Sequence, residues 1–159
     1  MKTKLLEIGR WLCVLLAVLS LGWMFGRNTL SQADPAAVEA AVTEKLDMTN
    51  VLKADNLMIR RLYGLDPAAY ESCCLYYPST NMVAEELLII KLTDTNQQEA
   101  VRSAIEARLQ TQKASFDGYG IEQYDMLTKD AVIEVRGNYV LYVVNAGAQE
   151  ALQAFLAAL

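Results

Sequence analysis

The sequence predicts an α+β fold: an N-terminal transmembrane helix, then one small domain with a mainly antiparallel four-stranded sheet and helices packed on one face of it. Three observations predict this fold. An uncharged apolar run covers residues 11–26, two β-rich runs flank Gly137-Asn138, and several other segments repeat apolar residues at helical spacing. The 159 residues suffice for one domain besides a membrane segment.

The run 11–26 has the features of a membrane anchor. Its apolar flanks extend it towards the roughly 20 residues that a bilayer span requires. Trp11 near one end and Trp23 and Phe25 near the other are expected at the two membrane interfaces. More positive charge precedes the run than follows it, where Arg27 stands alone, so we expect a cytoplasmic N-terminus and an extracytoplasmic domain.

A cleaved secretory signal is the alternative to a retained anchor. Ser31-Gln32-Ala33 places small residues before Asp34, at the spacing that a signal peptidase accepts. Cleavage there would yield a secreted domain. We therefore divide the chain into an anchor or signal at 1–27, a polar connector at 28–34 and a domain at 35–159.

Two helices are predicted at the start of the domain. Asp34 and Pro35 are suited to cap and open the first of them. The second is expected over residues 56–63, with Asp55 as its cap and Gly64 as its terminator.

Two strands are predicted next, over residues 70–77 and 84–93. The second has apolar residues on both faces, which predicts a central strand covered on both sides, at least in part. On this strand Leu88, Ile90 and Leu92 alternate with Leu87 and Ile89.

The second half of the domain is predicted to begin with a long helix over residues 95–116. Asn96 and Glu99 form a candidate capping box at its start. A short helix over 121–127 follows.

A hairpin over residues 131–144 and a last helix over 148–159 complete the order α-β-β-α-β-β-α. If Gly137-Asn138 is the two-residue loop, Val135 faces Val140 and Ile133 faces Tyr142.

The composition argues against several functions. Residues 28–159 carry ten basic and eighteen acidic side chains without a basic stripe, which argues against nucleic acid as a partner. The chain has no histidine, so we expect no metal, no cofactor and no catalytic residue. A hydrolase that uses carboxylates alone is the remaining enzymatic alternative. Neighbouring Cys73 and Cys74 should point to opposite sides of a strand and form no disulfide.

Four motifs stand out between residues 62 and 155: Tyr63-Gly64-Leu65-Asp66, Glu86-Leu87-Leu88-Ile89-Ile90-Lys91, Phe116-Asp117-Gly118-Tyr119 with Gln123, and Gly137-Asn138-Tyr139-Val140-Leu141. With these motifs the chain resembles a family of short, membrane-anchored proteins of Gram-positive anaerobes, the domain of unknown function 4358. The resemblance implies an exported, anchored envelope protein, and it carries no activity. Members of this family are associated with gene clusters that contain membrane-bound O-acyltransferases and their secreted partners.

We therefore expect a noncatalytic envelope module that binds a partner protein or serves as an accessory subunit. The alternative is a ligand-binding or sensor domain for a peptide, glycan or lipid, including a role in envelope polysaccharide O-acylation. The oligomeric state stays open. The residues of the expected interaction surface are Glu85, Glu86, Lys91, Tyr119, Gln123 and Tyr139.

Several of these residues also have a purely structural interpretation. Glu85 and Glu86 fit a solvated strand end. Tyr119 fits an aromatic that anchors a helix terminus. Lys91 fits a side chain that reaches the sheet edge or pairs with Glu85 on the same strand face.

Overall fold

A computed structural model of the chain describes Trp11, Val14 and residues 30–159. The predicted membrane segment lies outside these described residues apart from Trp11 and Val14, and so do Trp23, Phe25 and Cys13. Within the part of the chain that the structure describes, no helix has the length and hydropathy needed to cross a bilayer. The anchor and its orientation stay predictions.

Residues 30–159 form a mixed domain with five α-helices and one five-stranded sheet. Short 3₁₀ turns, Pro67–Ala69 and Thr95–Gln97, precede the second strand and the third α-helix. In chain order the elements are α1 Pro35–Thr43, β1 Val51–Lys53, α2 Asn56–Tyr63, β2 Ser72–Pro78, β3 Glu86–Lys91, α3 Gln98–Phe116, α4 Ile121–Lys129, β4 Ala131–Arg136, β5 Tyr139–Val144 and α5 Ala148–Ala158.

The predicted helix ends at α1 and α2 are confirmed. The Asp34 carboxylate accepts a hydrogen bond from the Ala37 amide at 3.3 Å, and the Asp55 carboxylate accepts one from the Met58 amide at 2.9 Å. Gly64 ends α2 with a left-handed φ of 67°, a conformation that costs glycine little.

The capping box before α3 differs from the prediction. It is formed by Asp94 and Gln97, not by Asn96 and Glu99. The Asp94 carboxylate accepts from the Asn96 amide at 2.8 Å, and the Gln97 side chain accepts from the Asp94 amide at 3.2 Å. The box is displaced because the chain enters the helix through a 3₁₀ turn that starts ahead of the first α-helical residue.

The sheet has the order β1-β2-β3-β5-β4, and all its neighbouring strands are antiparallel. The hairpin register is confirmed, with Val135 opposite Val140 and Ile133 opposite Tyr142. The predicted number of strands was wrong, because the edge strand β1 adds a fifth. Its three residues are too few to show an alternating pattern, and only pairing with β2 makes them a strand.

Helices cover both faces of the sheet, not one. The prediction failed because β5, like β3, is buried along its whole length, so both of its faces need a cover. One side, here the α2–α3 face, packs on α2, α3 and α4, and the other, the α1–α5 face, packs on α1 and α5. The buried hydrophobic sheet residues of the α2–α3 face are Leu75, Leu88, Ile90, Val140, Tyr142 and Val144, and those of the α1–α5 face are Cys74, Leu87, Ile89, Tyr139, Leu141 and Val143.

The last part of the predicted connector is attached to the domain. The Ser31 amide donates to the Asn138 side chain at 2.7 Å, and the Ser31 hydroxyl donates to the carbonyl of Leu159 at 3.0 Å. The Ala33 carbonyl accepts from the Tyr139 hydroxyl at 2.7 Å. These bonds place the start of α1 beside the hairpin turn and the C-terminus.

Candidate functional site

The most unusual polar residue of the domain is Glu86, the first residue of β3. Its side chain has no exposed surface. Carboxylates are rarely fully buried, and those that are need charged or hydrogen-bonding partners. Strand alternation places Glu86 on the same side as Leu88 and Ile90, so it points into the α2–α3 face. The interpretation of Glu86 as a solvated strand end was therefore wrong.

Four hydrogen bonds compensate the burial of Glu86. Arg108 donates from Nε to Oε1 at 3.1 Å and from Nη2 to Oε2 at 2.7 Å, which is a bidentate ion pair. The Gln112 amide donates to Oε2 at 2.9 Å, and the Tyr63 hydroxyl donates to Oε1. Tyr142 in turn donates to the Gln112 carbonyl oxygen at 3.0 Å. We call these five residues the Glu86 cluster.

The electrostatics of the Glu86 cluster hold Tyr63, Tyr142 and Arg108 in defined protonation states. Burial, followed by the negative charge of Glu86, raises the pKa of Tyr63 and of Tyr142 far above the ordinary value of 10.0. Burial disfavours the charged form of Arg108, but the hydrogen bonds and charge of Glu86 outweigh it and raise the Arg108 pKa. At neutral pH both phenols are therefore donors and Arg108 is a cation.

These hydrogen bonds limit what Glu86 can do chemically. A carboxylate offers about four lone-pair positions, and the four donors occupy that number. Glu86 is thus poorly placed to take a proton from a substrate. Its geometry is suited to fixing the Arg108 guanidinium.

A cleft of about 440 Å³ opens beside the cluster, between α2, α3 and the loop that joins β2 to β3. Two arginines, Arg61 and Arg108, reach its wall, and no carboxylate from the described residues lines it. The remaining lining residues are polar ones, Ser79, Thr80, Asn81, Gln112 and Ser115, and mainly apolar ones, Met58, Leu62, Tyr77, Pro78, Val83 and Phe116.

A second cleft, of about 370 Å³, lies on the other side of Phe116. Three side chains on its wall are largely exposed: Met82 by 63%, Tyr119 by 61% and Ile121 by 77%. Tyr124, one helical turn after Ile121, is exposed by 37%. We call these four residues the apolar patch.

The local chain geometry presents Tyr119 at this patch. Gly118 takes a φ of 85°, which turns the chain sharply between α3 and α4. A Cβ on Gly120 would lie 2.5 Å from the Phe116 ring, so only glycine allows this close approach. The Gln123 side chain accepts a hydrogen bond from the Ala84 amide at 2.8 Å, which ties α4 to the β2–β3 loop.

The six residues predicted as one interaction surface lie in separate places. Tyr119 and Gln123 line the second cleft, whereas Glu86 is inside the domain. Glu85 is half-buried, and its Oε1 accepts from the Asn50 amide group at 3.2 Å. Its Oε2 is buried and has no hydrogen-bond partner among the described residues.

Lys91 and Tyr139 lie at the edge of the α1–α5 face. Lys91 pairs with Glu71 at 2.8 Å and donates to the Ala33 carbonyl at 3.1 Å, so the predicted pair with Glu85 was wrong. Glu85 and Lys91 share a strand face but are about 20 Å apart, because each residue advances a strand by about 3.3 Å. Tyr139 is fully buried, and burial raises its pKa to about 12.

The two cysteines of the domain point to opposite faces of β2, as predicted, and both are free thiols. Burial raises the pKa of Cys73 and of Cys74 to about 12. Both are therefore protonated at neutral pH and weak nucleophiles. Within the described residues, no group of acidic and cysteine side chains converges to hold a metal ion.

Five residues of the cluster and the cleft were not among the predicted site residues: Arg61, Tyr63, Arg108, Gln112 and Tyr142. The sequence does contain a signal for two of them: α3 continues its apolar stripe of Val101 and Ile105 with Arg108 and Gln112 at helical spacing. Polar residues in a core-facing stripe need a buried partner, and Glu86 is that partner. No comparable local signal marks Arg61.

Comparison with known proteins gives one match. The model of a family described as "Domain of unknown function (DUF4358)" matches residues 44–145, which confirms the resemblance inferred from the sequence motifs. No curated protein and no solved structure is detectably similar to the chain. The matched segment includes all five strands, the Glu86 cluster and both clefts, and it excludes α1 and α5.

Proposed function

The chain belongs to the DUF4358 family, and on that premise we propose that it is a noncatalytic, membrane-anchored interaction module of the cell envelope. In this proposal residues 11–26 span the membrane with the N-terminus in the cytoplasm. The domain at 35–159 lies outside the cell and binds a partner protein through the apolar patch.

The apolar patch is the observation that carries this proposal. Single exposed apolar residues are common, but a group of four beside a cleft is typical of an interaction site. Exposed Glu122 lines the second cleft, exposed Asp117 is two residues before Tyr119, and neither forms an ion pair among the described residues. We therefore expect a partner that presents an apolar side chain flanked by lysine or arginine.

The chemistry of the domain supports a noncatalytic role. The chain has no histidine. The buried carboxylate of Glu86 accepts four hydrogen bonds, and the thiols of Cys73 and Cys74 have a pKa of about 12. Histidine, the commonest general base, is thus absent, the Glu86 carboxylate is hydrogen-bonded, and the two thiols are protonated at neutral pH.

Photo-crosslinking in native membranes tests the proposed patch. A photoreactive residue at Tyr119 should trap one defined partner, and Ile121→Asp should abolish that product. The same photoreactive residue at Gln153, exposed on α5 across the sheet, is the matched control and should trap none. Identical products from both positions would contradict the proposal.

The membrane part of the proposal has a separate test. The full chain is expressed in a Gram-positive host, fractionated, and weighed by mass spectrometry. We expect the intact chain in the membrane fraction. A product that lacks the first 33 residues would show that the anchor is removed and that the domain is secreted.

A further inference from the structure

The cleft beside the Glu86 cluster has an arginine with open hydrogen-bonding capacity on its wall. A guanidinium has five N–H donors, and Glu86 takes two of them, one on Nε and one on Nη2. The other three, on Nη1 and Nη2, make no hydrogen bond within the described residues. Together these two nitrogens form the second fork of the guanidinium, which matches the two oxygens of a carboxylate or phosphate. Arg108 is one of the residues that line the cleft.

The Glu86 cluster holds this fork in place before any ligand arrives. Tyr63 and Gln112 orient the carboxylate, and Tyr142 orients Gln112. The Arg108 side chain is only 15% exposed, so it has little freedom to move. A donor that is already ordered loses less entropy on binding, which favours affinity.

A second cation strengthens the charge of the cleft. Arg61 lines the same wall and is exposed, and within the described residues it forms no ion pair. Glu86 neutralises Arg108, so Arg61 leaves the cleft with net positive charge. The domain around it is acidic, with eighteen acidic and ten basic side chains over residues 28–159. The cleft is thus a local cationic site on an anionic protein, which selects for anions.

The rest of the lining defines the ligand further. Met58, Leu62, Val83 and Phe116 offer apolar contacts, and Ser79, Thr80 and Asn81 offer hydrogen bonds at the loop. A volume of about 440 Å³ is within the range of small-molecule sites. We propose that this cleft binds a small anion that carries a carboxylate or phosphate next to an apolar group, with Arg61 and Arg108 as its anchors.

Binding of simple probe anions to the full chain in nonionic detergent tests this proposal. The probes are benzoate and phenyl phosphate, their uncharged counterpart benzamide, and inorganic phosphate, which lacks the apolar part. Affinities are measured by ligand-observed NMR titration. We expect benzoate and phenyl phosphate to bind about 10-fold more tightly than benzamide, because charge-assisted hydrogen bonds are the stronger ones. Phenyl phosphate should also bind more tightly than inorganic phosphate.

Neighbouring arginines supply matched variants. Arg61→Gln should weaken benzoate binding about 5-fold, as expected for the loss of one partly exposed charge. Arg60→Gln should leave it unchanged, because Arg60 pairs with Asp66 and does not line the cleft. Arg108→Lys keeps a positive charge beside Glu86 but lacks the fork, and should weaken benzoate binding more than Arg61→Gln does.

The outcomes separate clearly. Equal binding of benzoate and benzamide, or no binding of either anion at millimolar concentration, overturns the proposal. Equal effects of Arg61→Gln and Arg60→Gln would reduce it to nonspecific attraction and also overturn it. If phenyl phosphate and inorganic phosphate bind equally tightly, the apolar group does not contribute to binding, and the proposed ligand with an apolar group is contradicted. None of these results depends on the apolar patch, because Ile121→Asp leaves this cleft intact and should bind the probes as the wild type does.

Discussion

Helices cover both faces of the sheet, but the polar groups are placed differently in the two interfaces. On the α1–α5 face the interior is apolar, and the ion pairs stand at its margin: Glu39 with Lys53, and Glu71 with Lys91. On the α2–α3 face a fully buried carboxylate, Glu86, is held by Arg108, Gln112 and Tyr63 at the edge of the apolar core.

This difference indicates that a ligand site is expected on the α2–α3 face. A buried ion pair is often no more stabilising than apolar residues of the same shape, so stability alone does not explain Glu86 and Arg108. The cleft beside Arg108 offers a reason for keeping them. Both faces bury apolar side chains that stabilise the domain. The α1–α5 face has no such cluster among the described residues.

Phe155→Ala should give the largest effect and tests the apolar face. The ring is fully buried and packs edge-on against Tyr139 with centroids 6.3 Å apart. Its removal should lower the free energy of unfolding by about 3–5 kcal/mol, measured by denaturant titration. Gln153→Ala, exposed on the same helix, should change it by less than about 0.5 kcal/mol. A loss below about 1 kcal/mol for Phe155→Ala would contradict the assigned packing.

Glu86→Ala tests the α2–α3 face. It should lower the free energy of unfolding by about 3 kcal/mol, because it leaves Arg108 without its partner in a largely buried position. Glu85→Ala, at the half-buried neighbour, should cost less than about 1 kcal/mol.

The double variant Glu86→Leu/Arg108→Leu separates stability from function on this face. It should recover most of the stability lost in Glu86→Ala, since apolar residues can replace a buried pair. It should nevertheless lose the binding of benzoate. A double variant that stays as unstable as Glu86→Ala would show that the ion pair is needed for folding itself.

Tyr63→Phe should lower the free energy of unfolding by about 1–2 kcal/mol at neutral pH, because Glu86 loses one hydrogen-bond donor. This loss of stability should depend on pH. The folded state raises the pKa of Tyr63, so the protonated hydroxyl contributes stability below the unfolded value of 10.0, and this contribution declines as pH rises above it. The difference between wild type and variant should therefore shrink in alkali. A constant difference, followed by denaturant titration across that range, would refute the pKa direction.

Glu39→Gln should give the smallest effect, below about 1 kcal/mol, because the pair with Lys53 is partly exposed. Burial raises the pKa of Glu39, but hydrogen bonds from Lys53 and Tyr76 outweigh it, so the net pKa is lowered from 4.5. The ionised carboxylate thus contributes stability above pH 4.5, and the contribution is lost as pH falls through the lowered pKa. The contribution of Glu39 on the α1–α5 face should then be lost in acid, and that of Tyr63 on the α2–α3 face should be lost in alkali. A difference in the free energy of unfolding between wild type and Glu39→Gln that stays constant as pH falls would contradict this expectation.

Most of the elements could be predicted from local patterns. Asp55 and Gly64 mark both ends of α2, and Gly137-Asn138 sets the hairpin register, because capping and turn chemistry act over a few residues. The alternation along β3 correctly indicated a central strand. The edge strand β1 was missed because its three residues become a strand only through pairing with β2.

The candidate site could be predicted only in part. Tyr119 and Gln123 were identified and lie together at the second cleft. Glu86 was identified but misplaced, because its burial depends on Arg108, 22 residues later in the chain. The partners of Lys91 were missed for the same reason, since Ala33 is 58 residues away.

The sequence alone is enough to predict the types and ends of most helices and strands, the hairpin register, the family and the acidic character of the domain, because each of these depends on composition or on neighbours within a few residues. Three features become visible only in the folded chain: helices cover both faces of the sheet, four hydrogen bonds enclose Glu86, and two arginines meet at a cleft free of carboxylates from the described residues. These features depend on contacts between distant segments, which form only when hydrophobic burial brings the segments together and buried polar groups must find partners.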